Sequence, residues 1–431
     1  MSASAPELAA ALDQSRARFL GILEPFDETV LRRQHDILMS PLLWDLAHVA
    51  NYEDLWLVRA LGGEPTRAGL DDLYDAFKQP RKVREALPLL DLAGACAYGD
   101  AVRARALELL DGADLAPDAA ARLTREGFVH RMVAQHEHQH AETLLAAIQL
   151  LPPDEGHVLT SGAPPAARVA PPEEVLVPGG TFRMGSTDPV ALDNERPVHE
   201  VDVPTFWIDA APVTNGQHRR FVQDGGYDEP RWWTDAGWKW RQEAGLVAPQ
   251  FWRRDGDAWT RLRFGTVEPL PDDEPVQHVG WYEADAYARW AGRRLPTESE
   301  WEKAAVFDPD TGDSRPWPWG DEAPTEVHAN LGQRHLGPAP VGAYPAGVSA
   351  VGCHQMVGDV WEWTSSDFLA YPGFEWFPYA EYSAVFYGSE YNVLRGSSWA
   401  THPSVGRTTF RNWDLPIRRQ IFAGFRTARD A

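Results

Sequence analysis

The chain has 431 residues and 44% hydrophobic content, ordinary for a globular protein with a large core but long for one domain, so two domains are expected. Its 63 acidic against 40 basic side chains leave a formal net charge of -23, which argues against nucleic acid and against an anionic membrane surface as partners. No apolar stretch is long enough to span a bilayer, the N-terminus lacks a basic start ahead of an apolar core, and two cysteines without a framework fit a reducing compartment, so the expected location is the cytoplasm.

Residues 1–151 read as a helical domain. Apolar positions recur at helical spacing in "ELAAALDQSRARFLGIL", "SPLLWDLAHVANYEDLWLVRAL", "LPLLDLAGACAYGDAVRARALELL" and "EGFVHRMVAQHEHQHAETLLAAIQLL". Four such helices predict a bundle. Ser40 and Pro41 are expected to open the second helix as N-cap and first-turn proline, and Gly62-Gly63 to close it.

In the second helix the stripe Trp44, His48, Asn51/Tyr52, Leu55 and Val58/Arg59 follows i, i+4, i+7 spacing, which puts His48 on the inward, bulky face. In the fourth, "VAQHEHQHAETLL" packs three histidines into five positions. His136 and His140 stand at i and i+4, so their side chains leave adjacent turns in the same direction. At about 100° per residue, His138 projects about 200° away from His136 and is expected at the surface. His35 and His130 are expected to be structural or surface residues.

An isolated histidine on an apolar stripe is ordinarily a packing residue, but His48 facing the His136/His140 pair across a bundle is expected to be a third metal ligand. A structural zinc site would want a fourth ligand, usually with cysteine, and Cys96 and Cys353 form no CxxC pattern. Three neutral imidazoles leave open positions for water, substrate or dioxygen, and suit iron, copper, nickel or zinc about equally.

Residues 152–174, within "PPDEGHVLTSGAPPAARVAPPEE", are rich in Pro, Ala and Gly and read as a linker. Beyond them the helical period is largely lost. Residues 175–431 hold most of the 19 tryptophans, many Gly and Pro, short strands and one clear helix, "WYEADAYARWAGR". An irregular α+β domain stabilised by tryptophan packing is expected.

The first 150 residues, with His48 in "WDLAHVANYEDLW" and the H-x3-H-x-E pattern of His136, His140 and Glu142, resemble the DinB-like bundle of the ergothioneine-biosynthesis sulfoxide synthases. The rest resembles the formylglycine-generating (sulfatase-modifying) domain that follows that bundle in the same family. Its markers are "VPGGTFRMGS", "RPVHEVDVPTFWIDAAPVTNGQ", "PVQHVGWYEADAYARWAGRRLPTESEWEKAA", "WPWG", "GDVWEWTSS" and "LRGSSWAT", in that order. The resemblance spans nearly the whole chain. It implies a DinB-like four-helix bundle followed by a C-type-lectin-like domain of the formylglycine-generating type. It also implies a nonhaem Fe(II), O2-dependent enzyme that joins the sulfur of γ-glutamylcysteine or cysteine to C2 of the imidazole of hercynine (trimethylhistidine) as a sulfoxide.

By the same resemblance His48, His136 and His140 are the iron ligands. γ-Glutamylcysteine bears two carboxylates and an ammonium, which call for guanidinium forks and a carboxylate. Arg81 or Arg84 in "KQPRKVREAL", and Asn412, Trp413, Asp414 and Arg418 in "FRNWDLPIRRQ", match the family's thiol-binding positions. The family places a catalytic tyrosine in the loop "FPYAEYSAVF"; Tyr379 is the choice, with Tyr382 beside it in the substrate site. A phenol there can supply a proton during the oxygen chemistry. Gln139 is assigned to the imidazole substrate.

Other readings differ in what they require. A formylglycine-generating enzyme acting on sulfatases needs a reactive cysteine pair in the second domain, where Cys353 stands alone. A non-catalytic ligand-binding protein has no need of inward histidines. A relative forming C–S or C–Se bonds with another donor shares the whole pattern, although the arginines favour a carboxylate-rich thiol. The ovothiol-type synthases add a methyltransferase domain, which is not expected in a chain ending at Ala431.

Overall fold

Four long apolar stripes become four long helical elements in the computed structural model, which describes residues 4–152 and 159–431. The chain divides into two units, Met1–Val158 and Leu159–Ala431. In the first unit α1 spans Ala5–Leu23, α2 Glu28–Arg32, α3 Leu42–Glu53, α4 Asp71–Tyr74, α5 Leu92–Leu110 and α6 Phe128–Ile148. The long helix α1 lies along α6, and α3 packs against both α5 and α6. Between them Leu12, Phe19, Leu42, Leu43, Trp44, Val102 and Leu144 are wholly buried. Each such side chain contributes roughly 1.5–3 kcal/mol by leaving water.

Two details of the second helix depart from the sequence reading. Pro41 occupies the N-cap position, and Ser40 makes no cap. Its hydroxyl instead accepts from Arg84 Nη1 at 2.6 Å. Beyond α3 the backbone widens into a π turn over Asp54–Val58 and then tightens to a 3-10 turn over Arg59–Leu61. The wider turn shifts the helical phase, so Asp54 turns inward while Leu55, predicted inward, is 39% exposed. Gly62 then ends the element with φ 94°, a left-handed conformation that glycine adopts without a Cβ penalty.

The bundle also contains buried charge. Arg16 and Arg103 lie between Glu53 and Glu137: Arg16 Nη2 donates to Glu53 at 2.9 Å, Arg103 Nε donates to Glu53 at 2.6 Å, and Arg16 Nε pairs with Glu137. Ser15 completes the set by donating to Glu137 at 2.6 Å. These bonds tie α1, α3, α5 and α6 at one level, next to His136 in the sequence of α6.

Residues 153–158 of the expected linker lie outside the described residues, and 159–173 form no helix or strand. The second unit comprises twelve short strands and four helices among its described residues. Strands β1 (Glu174–Val177), β4 (Phe206–Asp209) and β12 (Ala428–Asp430) form one sheet in the order β1-β4-β12, which brings the two ends of the unit together. Strands β2 (Gly180–Met184) and β3 (His199–Val203) pair antiparallel, as do β5 (Trp252–Asp255), β6 (Ala258–Arg263) and β7 (Thr266–Pro269) in sequence. The central sheet has the order β10-β9-β8-β11, from β8 (Trp361–Phe368), β9 (Gly388–Arg395), β10 (Asn412–Asp414) and β11 (Ala423–Gly424).

The expected helix is present as α9, Trp281–Trp290, but α7 (Asn215–Gln223), α8 (Asp235–Glu243) and α10 (Glu298–Val306) stand beside it. These three are nine residues each, too short for a hydrophobic period to register among so many aromatics. Their caps were the readable signal: the Thr297 hydroxyl accepts from Glu300 N at 3.2 Å while Glu300 accepts from Thr297 N at 2.7 Å. Trp301, Trp363 and Trp399 are completely buried, and each indole N–H has a partner, at Glu362, the Val279 carbonyl and Gln277 respectively. Tryptophan packing is therefore the core of this unit, with the polar handle of each ring satisfied. Among the described residues no helix is long and apolar enough to cross a membrane.

Candidate metal centre

Helices α3 and α6 meet at His48, His136 and His140. One donor atom from each imidazole lies within 4.8 Å of the other two, a spacing from which small side-chain adjustments reach a common ion about 2.1 Å from each nitrogen. The i, i+4 spacing on α6 supplies two of the three, and the inward stripe of α3 supplies the other.

Each ring is held from behind. His48 Nδ1 donates to the Tyr74 carbonyl at 2.7 Å, so its proton sits on Nδ1 and Nε2 is left as the donor atom. The same ring stacks on Trp44 at 4.6 Å, and the Arg84 guanidinium lies over the Trp44 ring at 3.6 Å. His136 stacks on Tyr52 at 3.7 Å. His140 Nδ1 faces Asp45 Oδ1 at 3.3 Å, an ion-pairing distance without hydrogen-bond geometry.

Electrostatics favour the ligating form. Burial, followed by the neighbouring His140, pushes the His48 imidazole down to about 3. Burial likewise holds His136 well below its ordinary value, with His140 and His48 adding to the effect. Both rings are neutral at physiological pH, and neutral imidazole is the form that binds a metal. The His140 side chain is 20% exposed, so the centre has one approachable side. Three converging imidazoles, one of them hydrogen-bonded from behind by the Tyr74 carbonyl, and one approachable side fit a catalytic rather than a structural metal ion.

Other sequence-derived candidates resolve into groups. Arg84 is 5% exposed and spends its guanidinium inside the unit, donating to Ser40, the Gln79 carbonyl at 2.9 Å and the Ala76 carbonyl at 3.3 Å. Arg81 is exposed, on the 3-10 turn Arg81–Ala86. Gln139 is half-buried on α6, one turn beyond His136. In the second unit Trp413 on β10 gathers the rest: Tyr382 meets its ring edge-on at 5.8 Å, and Tyr379 meets Tyr382 at 6.2 Å. Phe368 of β8 stacks on Trp413 at 4.3 Å and fixes its plane. Next to it, buried Arg418 pairs with Asp414 at 3.2 Å, while Asn412 Oδ1 accepts from the Trp413 amide at 2.9 Å.

His138 departs from expectation: it is 2% exposed. A helix in the middle of a bundle is covered on more than one side, so leaving the ligand face does not put a residue in water. His130 is buried too, and burial pushes it down to about 4. Cys353 is fully buried, with its thiol pushed up to about 11 by burial, the opposite of an activated cysteine.

Sequence reasoning missed Asp45, Tyr52 and the Tyr74 carbonyl. Asp45 and Tyr52 stand three before and four after His48, the spacing that shares its face, and that was the available signal. Nothing local in the sequence marks a carbonyl of the 71–74 helix as the partner of His48.

Comparison with known proteins bears on both units. Residues 160–431 match the Sulfatase-modifying factor enzyme 1-like domain, and residues 11–144 match the DinB superfamily. The chain is 52% identical over 437 residues to a hercynine oxygenase of Mycobacterium tuberculosis, covering 99% of each chain. It is 53% identical to a hercynine oxygenase of Mycolicibacterium thermoresistibile, covering 98% of this chain and 95% of that one. A formylglycine-generating enzyme of Mycobacterium tuberculosis is 36% identical, over 46% of this chain and 74% of its own. The helical unit is therefore DinB-like and the sheet-rich unit is of the formylglycine-generating type.

Proposed function

Because this chain belongs to the hercynine oxygenase family, we propose that its three-histidine centre holds Fe(II) and that its sulfur donor is γ-glutamylcysteine or cysteine. The protein is an oxygenase, a hercynine sulfoxide synthase of ergothioneine biosynthesis. The observation that carries this is a relationship above half identity that runs through both units rather than one. In the reaction the thiol S–H and the imidazole C2–H are lost, a C–S bond forms, one oxygen atom of O2 remains on sulfur and the other leaves as water.

Bound between His48, His136 and His140, Fe(II) would supply open positions at which thiolate, imidazole and dioxygen meet. The protein's own groups orient the partners. Arg84 acts through Trp44, whose indole it presses against the His48 ring, since its own donors are committed. Exposed Arg81 is then the guanidinium of this loop that meets a substrate carboxylate. Arg418 and Asp414 offer a matched cation and anion to the carboxylate and ammonium of the thiol, beside Asn412 and Trp413. Gln139 meets the imidazole substrate. Tyr379 donates a proton from its phenol oxygen during the oxygen step, with Tyr382 packed against it. Free Cys96 and Cys353 support a reducing compartment, the cytoplasm.

The test is anaerobic reconstitution with Fe(II), then mixing with hercynine, γ-glutamylcysteine and O2, with mass spectrometry of the product. A sulfoxide conjugate is expected, and competition with cysteine identifies the preferred donor. No conjugate with either thiol would overturn the assignment, and activity only with another metal would overturn the Fe(II) part alone.

A further inference from the structure

Asp45 is a buried carboxylate to which the fold supplies no hydrogen-bond donor among the described residues. It lies in the first turn of α3 with 1% exposure, and among the described residues neither of its oxygens receives a hydrogen bond. The guanidinium of Arg84, whose charge Asp45 feels, gives its protons to Ser40, Gln79 and Ala76 instead. A carboxylate in this setting disfavours the fold unless something else meets its charge. What it faces is His140 Nδ1, at 3.3 Å. The position near the N-terminus of α3 favours an anion and does not itself provide a bond.

We propose that Asp45 is a positioning residue of the metal centre, holding His140 with its proton on Nδ1 so that Nε2 is presented to the ion, and adding negative charge that strengthens that nitrogen as a donor. The proposal rests on the reading of His48, His136 and His140 as ligands. The Tyr74 carbonyl does the first of these jobs for His48, as a neutral acceptor at 2.7 Å. Asp45 differs in bringing a full charge, which the ion's own positive charge would offset. An outer carboxylate of this kind typically changes metal affinity by about 10–100-fold. The carboxylate is therefore better accommodated in the metal-bound protein than in the metal-free one, and this separates the proposal from a role in packing.

The experiment uses the full-length protein and its Asp45→Asn, Asp45→Glu and His136→Ala variants. Each is titrated anaerobically with Fe(II), and separately with Co(II), against a competing chromogenic chelator, and the metal-free melting temperature is recorded. Asn keeps the shape and loses the charge. Asp45→Asn is expected to bind Fe(II) about 10–100-fold more weakly while its metal-free melting temperature holds or rises, and Asp45→Glu to recover part of the affinity. A purely structural aspartate gives the reverse: a lower metal-free melting temperature with affinity unchanged in the folded protein. Affinity within about twofold of the parent in Asp45→Asn, with His136→Ala losing the metal, overturns the proposal. Full retention of metal by His136→Ala overturns the three-histidine reading itself.

Discussion

Glu137 is the test of how the bundle holds its ligand helix. Its carboxylate is 2% exposed and receives Ser15 at 2.6 Å, Arg16 Nε, and Arg103 Nη2 at 3.5 Å. Glu137→Gln removes one of two buried negative charges that face two guanidiniums, each only 10% exposed. Arg16 and Arg103 are left with Glu53 and with Asp13, which is 64% exposed and largely screened. Breaking a buried pair costs about 3–5 kcal/mol, and because Arg16 keeps Glu53 at 2.9 Å the lower end, about 3 kcal/mol, is expected. For a unit of this size that is a fall of about 6–12 °C in the melting transition of the bundle. Calorimetry of the full-length protein reads it, the bundle transition being the one that added Co(II) raises. Asp72→Asn is the control, since its pair with Lys78 is exposed on both sides, at 79% and 58%, and should contribute under about 1 kcal/mol. A Glu137→Gln effect no larger than that of Asp72→Asn would refute the reasoning, and with it the view that this network ties the four helices together.

Acid should destabilise the metal-free protein through its buried histidines. His48 at about 3, His130 at about 4 and His136 well below its ordinary value are all lowered chiefly by burial, so below pH 6.5 the unfolded chain binds more protons than the folded one. Stability is then full above pH 6.5 and lost as pH falls toward 4, by up to about 1.4 kcal/mol per pH unit for each group; urea unfolding at pH 7.5, 6 and 5 measures it, and a flat profile contradicts it. Arg418→Leu or Asp414→Asn should raise the KM for the thiol far more than that for hercynine, by a loss on the order of 2 to 4 kcal/mol; equal effects on both substrates would misplace the pocket. Tyr379→Phe should keep metal and substrates bound but divert product from the sulfoxide conjugate toward the sulfinic acid of the thiol, as read by mass spectrometry. Unchanged ratios there, with a shift in Tyr382→Phe, would move the proton donor three residues along.

Periodicity made the helical unit readable, because each long helix must present one apolar stripe to a common core, and 3.6-residue spacing records that stripe in the chain. The same arithmetic put His136 and His140 on one face and turned His48 inward. It failed at His138 and Leu55, for different reasons. Burial of a central helix is decided by how many neighbours surround it, and the π turn after α3 changes the phase that the arithmetic assumes. In the second unit the order of motifs identified the domain type, while its three further short helices were visible only through their caps.

What the residues alone determined was the convergence of three imidazoles, which without cysteine partners would leave a bound metal with open positions. The tertiary structure decided how those imidazoles are held. The Tyr74 carbonyl fixes one tautomer, Asp45 faces another ring, and Arg84 stacks on Trp44. Of these only Asp45 shares a local helical face with a ligand; the Tyr74 carbonyl and the Arg84 guanidinium arrive from segments more than twenty residues away. A hydrogen-bond partner set by packing between distant segments leaves no periodic trace, so only the folded chain reveals it.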